Sequence, residues 1–231
     1  MQSYRARVRE ISLDKTGEAQ AWIECPTAAV PPAGKYVRAR AIASPDAVVA
    51  QTLFSAGRRS AGFQAAHVPA SWTPGIDLTL TGPLGQGFTL PGAARHILLA
   101  VFSPSASRLL PLVDQALASG ADVSIFSDTI PTNLPSRVEI NPIKLLPENL
   151  VWADFIAVDL PLELIDQTGS LLGLKGGQFL PCPGQALIYT AFPCSGQAQC
   201  GACAVKLNRG WKFACEDGPV FNLRELIHAK I

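Results

Sequence analysis

Four of the chain's six cysteines fall between residues 194 and 215: Cys194, Cys200, Cys203 and Cys215, spaced C-x5-C-x2-C-x11-C. No other feature restricts the fold as tightly, because a short segment must bring four soft ligands together. Gly196, Ala198, Gly201, Ala202 and Ala204 lie between and after the first three. Such small residues let a loop close around an inorganic core and aim backbone N–H groups at sulfur. A zinc knuckle would more often supply two C-x2-C hairpins, whereas one pair here has that separation.

The spacing is close to the plant-type [2Fe-2S] arrangement, C-x4-C-x2-C with a distant fourth cysteine. Iron–sulfur is therefore the favoured reading; structural zinc and free or redox-active thiols are the alternatives. One extra residue separates the first two cysteines, which puts Ser195 in the usual ligand register. Either the loop bulges to deliver Cys194 or a serine oxygen replaces it, and the softer, more readily deprotonated thiolate favours Cys194. Cys25 and Cys182 stand apart and read as small buried hydrophobes.

With 231 residues, 48% of them hydrophobic, the chain can bury the core of one large domain or two small ones. Nineteen Lys+Arg balance 18 Asp+Glu, a net charge of +1. That leaves no bulk field for nucleic acid or an anionic membrane. Charges among residues 1–10 and the lack of a long apolar run give the expectation of a soluble, cytoplasmic protein with no membrane insertion. A reducing compartment in turn favours thiolate ligands over disulfides.

Residues 1–91 read as short strands between turn signals, at Tyr4–Leu13, Gln20–Cys25, Lys35–Ile42, Val48–Ser55, Ala61–Val68 and Ile76–Thr81. The breakers are Pro31-Pro32-Ala33-Gly34, Ser44-Pro45-Asp46 and Thr73-Pro74-Gly75. This pattern predicts an antiparallel β-barrel. The period then changes to a strand at His96–Phe102, a helix at Ser105–Ser119 stopped by Gly120, and a strand at Asp122–Phe126. Further strands at Arg137–Asn141, Ala153–Asp159 and Ala186–Ala191, with a helix near Pro161–Leu172, extend this into a parallel nucleotide-binding-like sheet. The expected class is multi-domain α+β: a barrel at 1–91, an α/β domain at 92–180 extended by a strand at 185–191, and a [2Fe-2S] domain at 192–231.

Cys200-Gly201-Ala202-Cys203 followed by Lys212-Phe213-Ala214-Cys215-Glu216-Asp217-Gly218-Pro219-Val220-Phe221 resembles the cluster domain of the electron-transfer subunit of type B dihydroorotate dehydrogenase. Trp72-Thr73-Pro74-Gly75-Ile76-Asp77-Leu78 and Gly82-Pro83-Leu84-Gly85-Gln86-Gly87-Phe88 continue the likeness upstream. The resemblance implies a ferredoxin reductase-like layout of flavin barrel, NAD-binding-like domain and cluster domain. It also implies FAD on the barrel, held by an Arg-x-aromatic-Ser strand. Gln51-Thr52-Leu53-Phe54-Ser55 keeps Phe54 and Ser55 but lacks the arginine, leaving Arg58 or Arg59 as substitutes or as solvated loop charges. The family's glycine-rich turn is replaced by Phe102-Ser103-Pro104-Ser105-Ala106-Ser107-Arg108, whose Cβ atoms argue against NAD(P). Ser105 and Arg108 could still hold an anion, and an ordinary helix start explains them as well.

By this resemblance the chain is an electron-transfer subunit of an oxidoreductase complex, not a stand-alone enzyme. It would relay electrons between a dihydroorotate dehydrogenase-like flavoprotein catalytic subunit of pyrimidine biosynthesis and a nicotinamide or other acceptor. The competing reading is a non-catalytic scaffold with degenerate nucleotide sites and a structural zinc or iron–sulfur site. Among smaller features, Asn222 is expected to cap a closing helix to Lys230 with Glu225 in a capping box, and Asn208-Arg209-Gly210 to turn a hairpin that delivers Cys215 on its return strand. Trp211, Phe213 and Phe221 flank that cysteine as core packing or as a docking rim. His67, His96 and His228 show no ligand spacing.

Overall fold

The computed structural model describes residues 2–42, 50–131, 134–176 and 178–227. Six strands, β1 (Ser3–Leu13), β2 (Ala19–Glu24), β3 (Tyr36–Ala41), β4 (Gln51–Arg59), β5 (Gly62–Ala66) and β6 (Asp77–Leu84), close a barrel in the order β1-β2-β5-β4-β3-β6. Alternation sets the faces: Ala6, Val8, Ile23, Val37, Leu53, Phe63, Leu78 and Leu80 are buried inside, while Arg5, Arg7 and Arg9 point out. The breaker Ser44-Pro45-Asp46 and the strand start Val48-Val49 lie outside the described residues. β4 also runs past Ser55 through a bulge between Ser55 and Gly57, so Arg58 and Arg59 are strand residues and not loop residues.

The second sheet has the order β14-β11-β10-β7-β8-β9, with β7 (His96–Val101), β8 (Asp122–Phe126), β9 (Glu139–Asn141), β10 (Phe155–Pro161) and β11 (Gly184–Tyr189) parallel. Every residue of β10 is buried, as expected for a parallel strand covered on both faces. The C-terminal segment is stitched to this sheet by β14 (Val220–Asn222), antiparallel to β11. Between them β12 (Ala204–Leu207) and β13 (Gly210–Phe213) form the expected hairpin.

Helices are short: α1 (Leu110–Ala118) follows a 3-10 turn at Ala106–Arg108, and α2 (Leu146–Asn149), α3 (Thr168–Leu171) and α4 (Leu223–Leu226) are single turns. The helix expected at Pro161–Leu172 is mostly a 3-10 segment, Leu162–Gln167, because Pro161 still belongs to β10 and Thr168, Gly169 and Ser170 propagate an α-helix poorly. Asn222 caps α4 by accepting from Arg224 N at 2.9 Å; the helix stops at Leu226, short of the expected end, because Ile227 is extended, and His228 and Lys230 lie outside the described residues. Among the described residues no helix is long and apolar enough to cross a membrane.

Candidate cluster site and the cleft beside it

Cys203 immediately precedes β12, and Cys215 lies two residues beyond β13 instead of on it. The ladder continues through Ala214 N, which donates to Cys203 O at 2.9 Å, so the two thiols meet with Sγ atoms 3.3 Å apart. Both are buried. Burial and the adjacent Cys203 push the Cys215 thiol up to about 12, and the backbone N–H of Ala198 works the other way.

Cys194 and Cys200 form the second pair, half-buried and exposed respectively. Backbone N–H groups of Gln199, Gln197 and Cys200, with the Cys200 side chain, converge on the Cys194 sulfur and bring its thiol down to about 6. Gln197 N lies 3.4 Å from Sγ. The loop makes this turn by placing Ser195 and Ala198, both at φ 54, alongside Gly196 and Gly201 in the left-handed region. Ser195 faces elsewhere: its Oγ accepts from Ala50 N at 3.2 Å and its carbonyl from Arg38 Nη1 at 2.6 Å. The extra residue is thus taken up as a bulge tied to the barrel.

Among the described residues no three His, Cys, Asp or Glu side chains are arranged around one metal ion. Two thiol pairs are the donor set of a binuclear cluster, with two sulfurs for each iron. Glycine and alanine around them leave room for inorganic sulfide, and the residues fit a [2Fe-2S] cluster.

Tyr36, at the start of β3, joins this loop to the barrel. Its hydroxyl donates to Cys215 O at 2.7 Å, and its ring packs against Phe192 and Phe54 with centroids 5.1 and 6.0 Å away. Burial is the main reason its hydroxyl is held well above the usual tyrosine range. Phe54 lies on the wall of a cleft of about 220 Å³ with Gln51, Thr52, His67, Arg108, Tyr189 and Phe192. Arg108 pairs there with Asp159, Nε to Oδ2 at 2.9 Å, and stacks 3.8 Å above the Tyr189 ring. Complete burial pushes the Asp159 carboxyl up, while Arg108 pulls it down.

The other candidate nucleotide residues are dispersed. Ser55 is buried and bonds to Gly57 N and O. Arg58 and Ser105 line a separate groove of about 560 Å³ with Arg59, Lys15, Asp14 and Asp114. The Ser105 hydroxyl donates to Asp14 Oδ2 at 2.9 Å, and Gln20 Nε2 donates to Ser107 Oγ at 2.7 Å, so the turn after β7 is fastened to the β1–β2 hairpin. A carboxylate at that position opposes a phosphate. The Phe54 cleft accommodates an aromatic ring, and Arg108, the cation among its described lining residues, is bound by Asp159.

Residues 196–227 match the family model of the iron–sulfur cluster binding domain of dihydroorotate dehydrogenase B. The match takes in Cys200, Cys203 and Cys215 and begins just after Cys194 and Ser195, where the spacing departs from the plant type. No curated protein sequence matches the chain. The fold is ferredoxin reductase-like. The NADH-dependent reduced ferredoxin-NADP oxidoreductase of flavin-based electron bifurcation superposes with a TM-score of 0.72 at 16% identity, covering 95% of this chain and 88% of that one. The ferredoxin reductase of carbazole 1,9a-dioxygenase, in an FAD apo form, gives 0.56 at 16%, covering 81% and 68%. The ferredoxin-NADP+ reductase of Plasmodium falciparum gives 0.52 at 10%, covering 77% and 91%. The matched domain supports an iron–sulfur cluster and an electron-transfer role, and the likeness to these solved structures shows the fold.

Sequence reading missed Tyr36, Phe192 and the Arg108–Asp159 pair. The pair left one signal: Asp159 is a lone carboxylate inside the apolar run Phe155–Leu160, and buried charges in such runs are paired. Cys25 and Cys182 are buried as expected, and burial raises both thiols to about 11. Phe221 is core, whereas Trp211 is 67% exposed.

Proposed function

We propose that this chain is a one-electron relay subunit in which Cys194 and Cys200 hold one iron of a [2Fe-2S] cluster and Cys203 and Cys215 hold the other. The observation that carries this is the pairing of the four thiols, three of them inside the segment that matches the cluster-domain model and the fourth, Cys194, two residues before it. When bound, the cluster supplies a centre that gains and loses single electrons. The protein's own part is to tune and insulate it. Backbone N–H groups from Gln197, Gln199 and Cys200 stabilise negative charge on the Cys194 side, burial excludes water from Cys203 and Cys215, and Cys200 remains at the surface. Tyr36 fixes the buried side to the barrel and provides an aromatic path from Cys215 toward the Phe54 cleft.

The partner we propose is a flavoprotein catalytic subunit of the dihydroorotate dehydrogenase type, in the cytoplasm. The barrel (1–91) and the α/β part (92–180) act as the frame that presents the cluster domain (192–231). Visible absorption of anaerobically purified protein, before and after dithionite, tests this together with iron, sulfide, zinc and released-flavin analysis. Two irons, two sulfides and bleachable absorbance are expected. Cys200→Ser should lose them and Ser195→Ala keep them. Zinc without a chromophore, in protein that has not lost a cluster to air, would overturn the reading in favour of a structural site.

A further inference from the structure

The outer face of the barrel beside the cluster loop carries an unusual charge arrangement. Cross-strand register sets Arg5 of β1 and Arg40 of β3 on either side of Thr79 in β6, and Ser3 and Arg38 on either side of Thr81. All point outward, since their neighbours Ala6, Leu78, Leu80 and Ala39 fill the barrel. The row runs into a groove of about 560 Å³ lined by Arg38, Arg40, Thr79, Thr81, Cys194, Ser195 and their neighbours. Among the described residues the groove's lining holds no carboxylate, and no carboxylate of a described residue is paired with Arg5 or Arg40. The nearest acid in the row's register, Asp77, is paired with Arg7. Arg38 ties the groove to the cluster loop through Ser195 O.

In a chain whose net charge is only +1, Arg40 in the groove that holds the half-buried Cys194, with Arg38 beside it and Arg5 across β6 on the same outer face, is a local feature with a local use. Electron exchange needs a partner's redox centre brought close to the cluster, and complementary charge accelerates that encounter and fixes its orientation. We infer that this arginine groove is the docking face for the electron-exchange partner, and that the partner presents a carboxylate-rich rim around its own redox centre. The inference rests on the electron-relay reading and adds the chemistry of the partner's surface.

Two haem proteins of opposite charge serve as probes: ferric cytochrome b5, which is acidic, and ferric cytochrome c, which is basic. In stopped-flow mixing with dithionite-reduced protein, free of excess dithionite, one electron leaves the reduced cluster and converts haem Fe(III) to Fe(II). No bond is made and no proton moves. At low ionic strength cytochrome b5 should be reduced the faster, with a rate that falls as salt is added; cytochrome c should show the weaker or opposite salt dependence. Arg40→Glu and Arg5→Glu together should slow cytochrome b5 by about tenfold or more at low salt and leave the reaction with ferricyanide, a small acceptor, within about threefold of wild type once salt screens its charge. Arg40→Lys with Arg5→Lys should retain most of the rate.

A bleachable cluster whose reaction with cytochrome b5 ignores both salt and charge reversal would overturn the docking face while leaving the relay intact. A protein with no reducible centre, or one that cannot pass electrons even to ferricyanide, would overturn the relay and the docking face with it.

Discussion

Removing Asp159 should be among the most damaging single changes available outside the cysteine loop. The carboxylate is fully buried and receives Arg108 through both Nε, at 2.9 Å, and Nη2, at 3.3 Å, while the guanidinium side chain is only 5% exposed. Asp159→Ala leaves that cation at the carboxyl ends of β7 and β10 with Tyr189 as its remaining partner. Breaking a buried pair from one side costs about 3–5 kcal/mol, because the surviving charge stays desolvated. At about 2–4 °C per kcal/mol for a chain of this size, the midpoint should fall by about 6–20 °C. Anaerobic denaturant and thermal unfolding followed by far-ultraviolet circular dichroism would measure it. The control is Arg108→Leu with Asp159→Leu, which removes both charges and should recover most of the loss. The reasoning fails if Asp159→Ala costs less than about 1 kcal/mol, or if the double variant is as unstable as the single one, since packing and not unpaired charge would then be responsible.

In cluster-free protein, Cys194 should react with iodoacetamide with a half-maximal rate near pH 6, losing reactivity as acid protonates it below that value, whereas Cys215, raised to about 12, should stay unreactive at neutral pH; peptide mapping of the alkylated protein reads both. Gly196→Ala should cost about 2–3 kcal/mol in denaturant unfolding. It combines left-handed strain at φ +73 with a Cβ 2.7 Å from the Tyr36 hydroxyl, whereas Gly201→Ala, at φ +74 but facing open space, should cost only the conformational part, about 1 kcal/mol.

The barrel and the parallel sheet were legible because both rest on local pattern. Alternation over Ser3–Val8 and the unbroken apolar run at His96–Val101 leave few choices of strand face. The four cysteines were legible because soft ligands at short spacing have few other uses. What could not be read was anything that depends on two distant segments meeting. Asp14 and Ser105 are 91 residues apart and Tyr36 and Cys215 are 179 apart, and neither partner announces the other. The turn after β7 illustrates the difference. Its serines read equally as an anion site or a helix cap, and the contact that separates these readings is a carboxylate arriving from a different sheet.

That same contact bears on how the molecule divides its work. In the turn after β7, hydroxyls spent on Asp14 and Gln20 hold the barrel against the α/β sheet, and the arginine that follows is spent on Asp159. On the cluster side, Ser195 and Tyr36 spend their hydrogen bonds on fastening the loop to the barrel. Groups that could bind a nucleotide are thus consumed in joining the parts, while those around the cysteines are arranged to hold a loop in a left-handed, strained path. Strain of that kind persists only where the surroundings over-determine it. Here the surroundings are the barrel itself, through Ala50, Arg38 and Tyr36, so the barrel's clearest task in this chain is to keep the two thiol pairs in register.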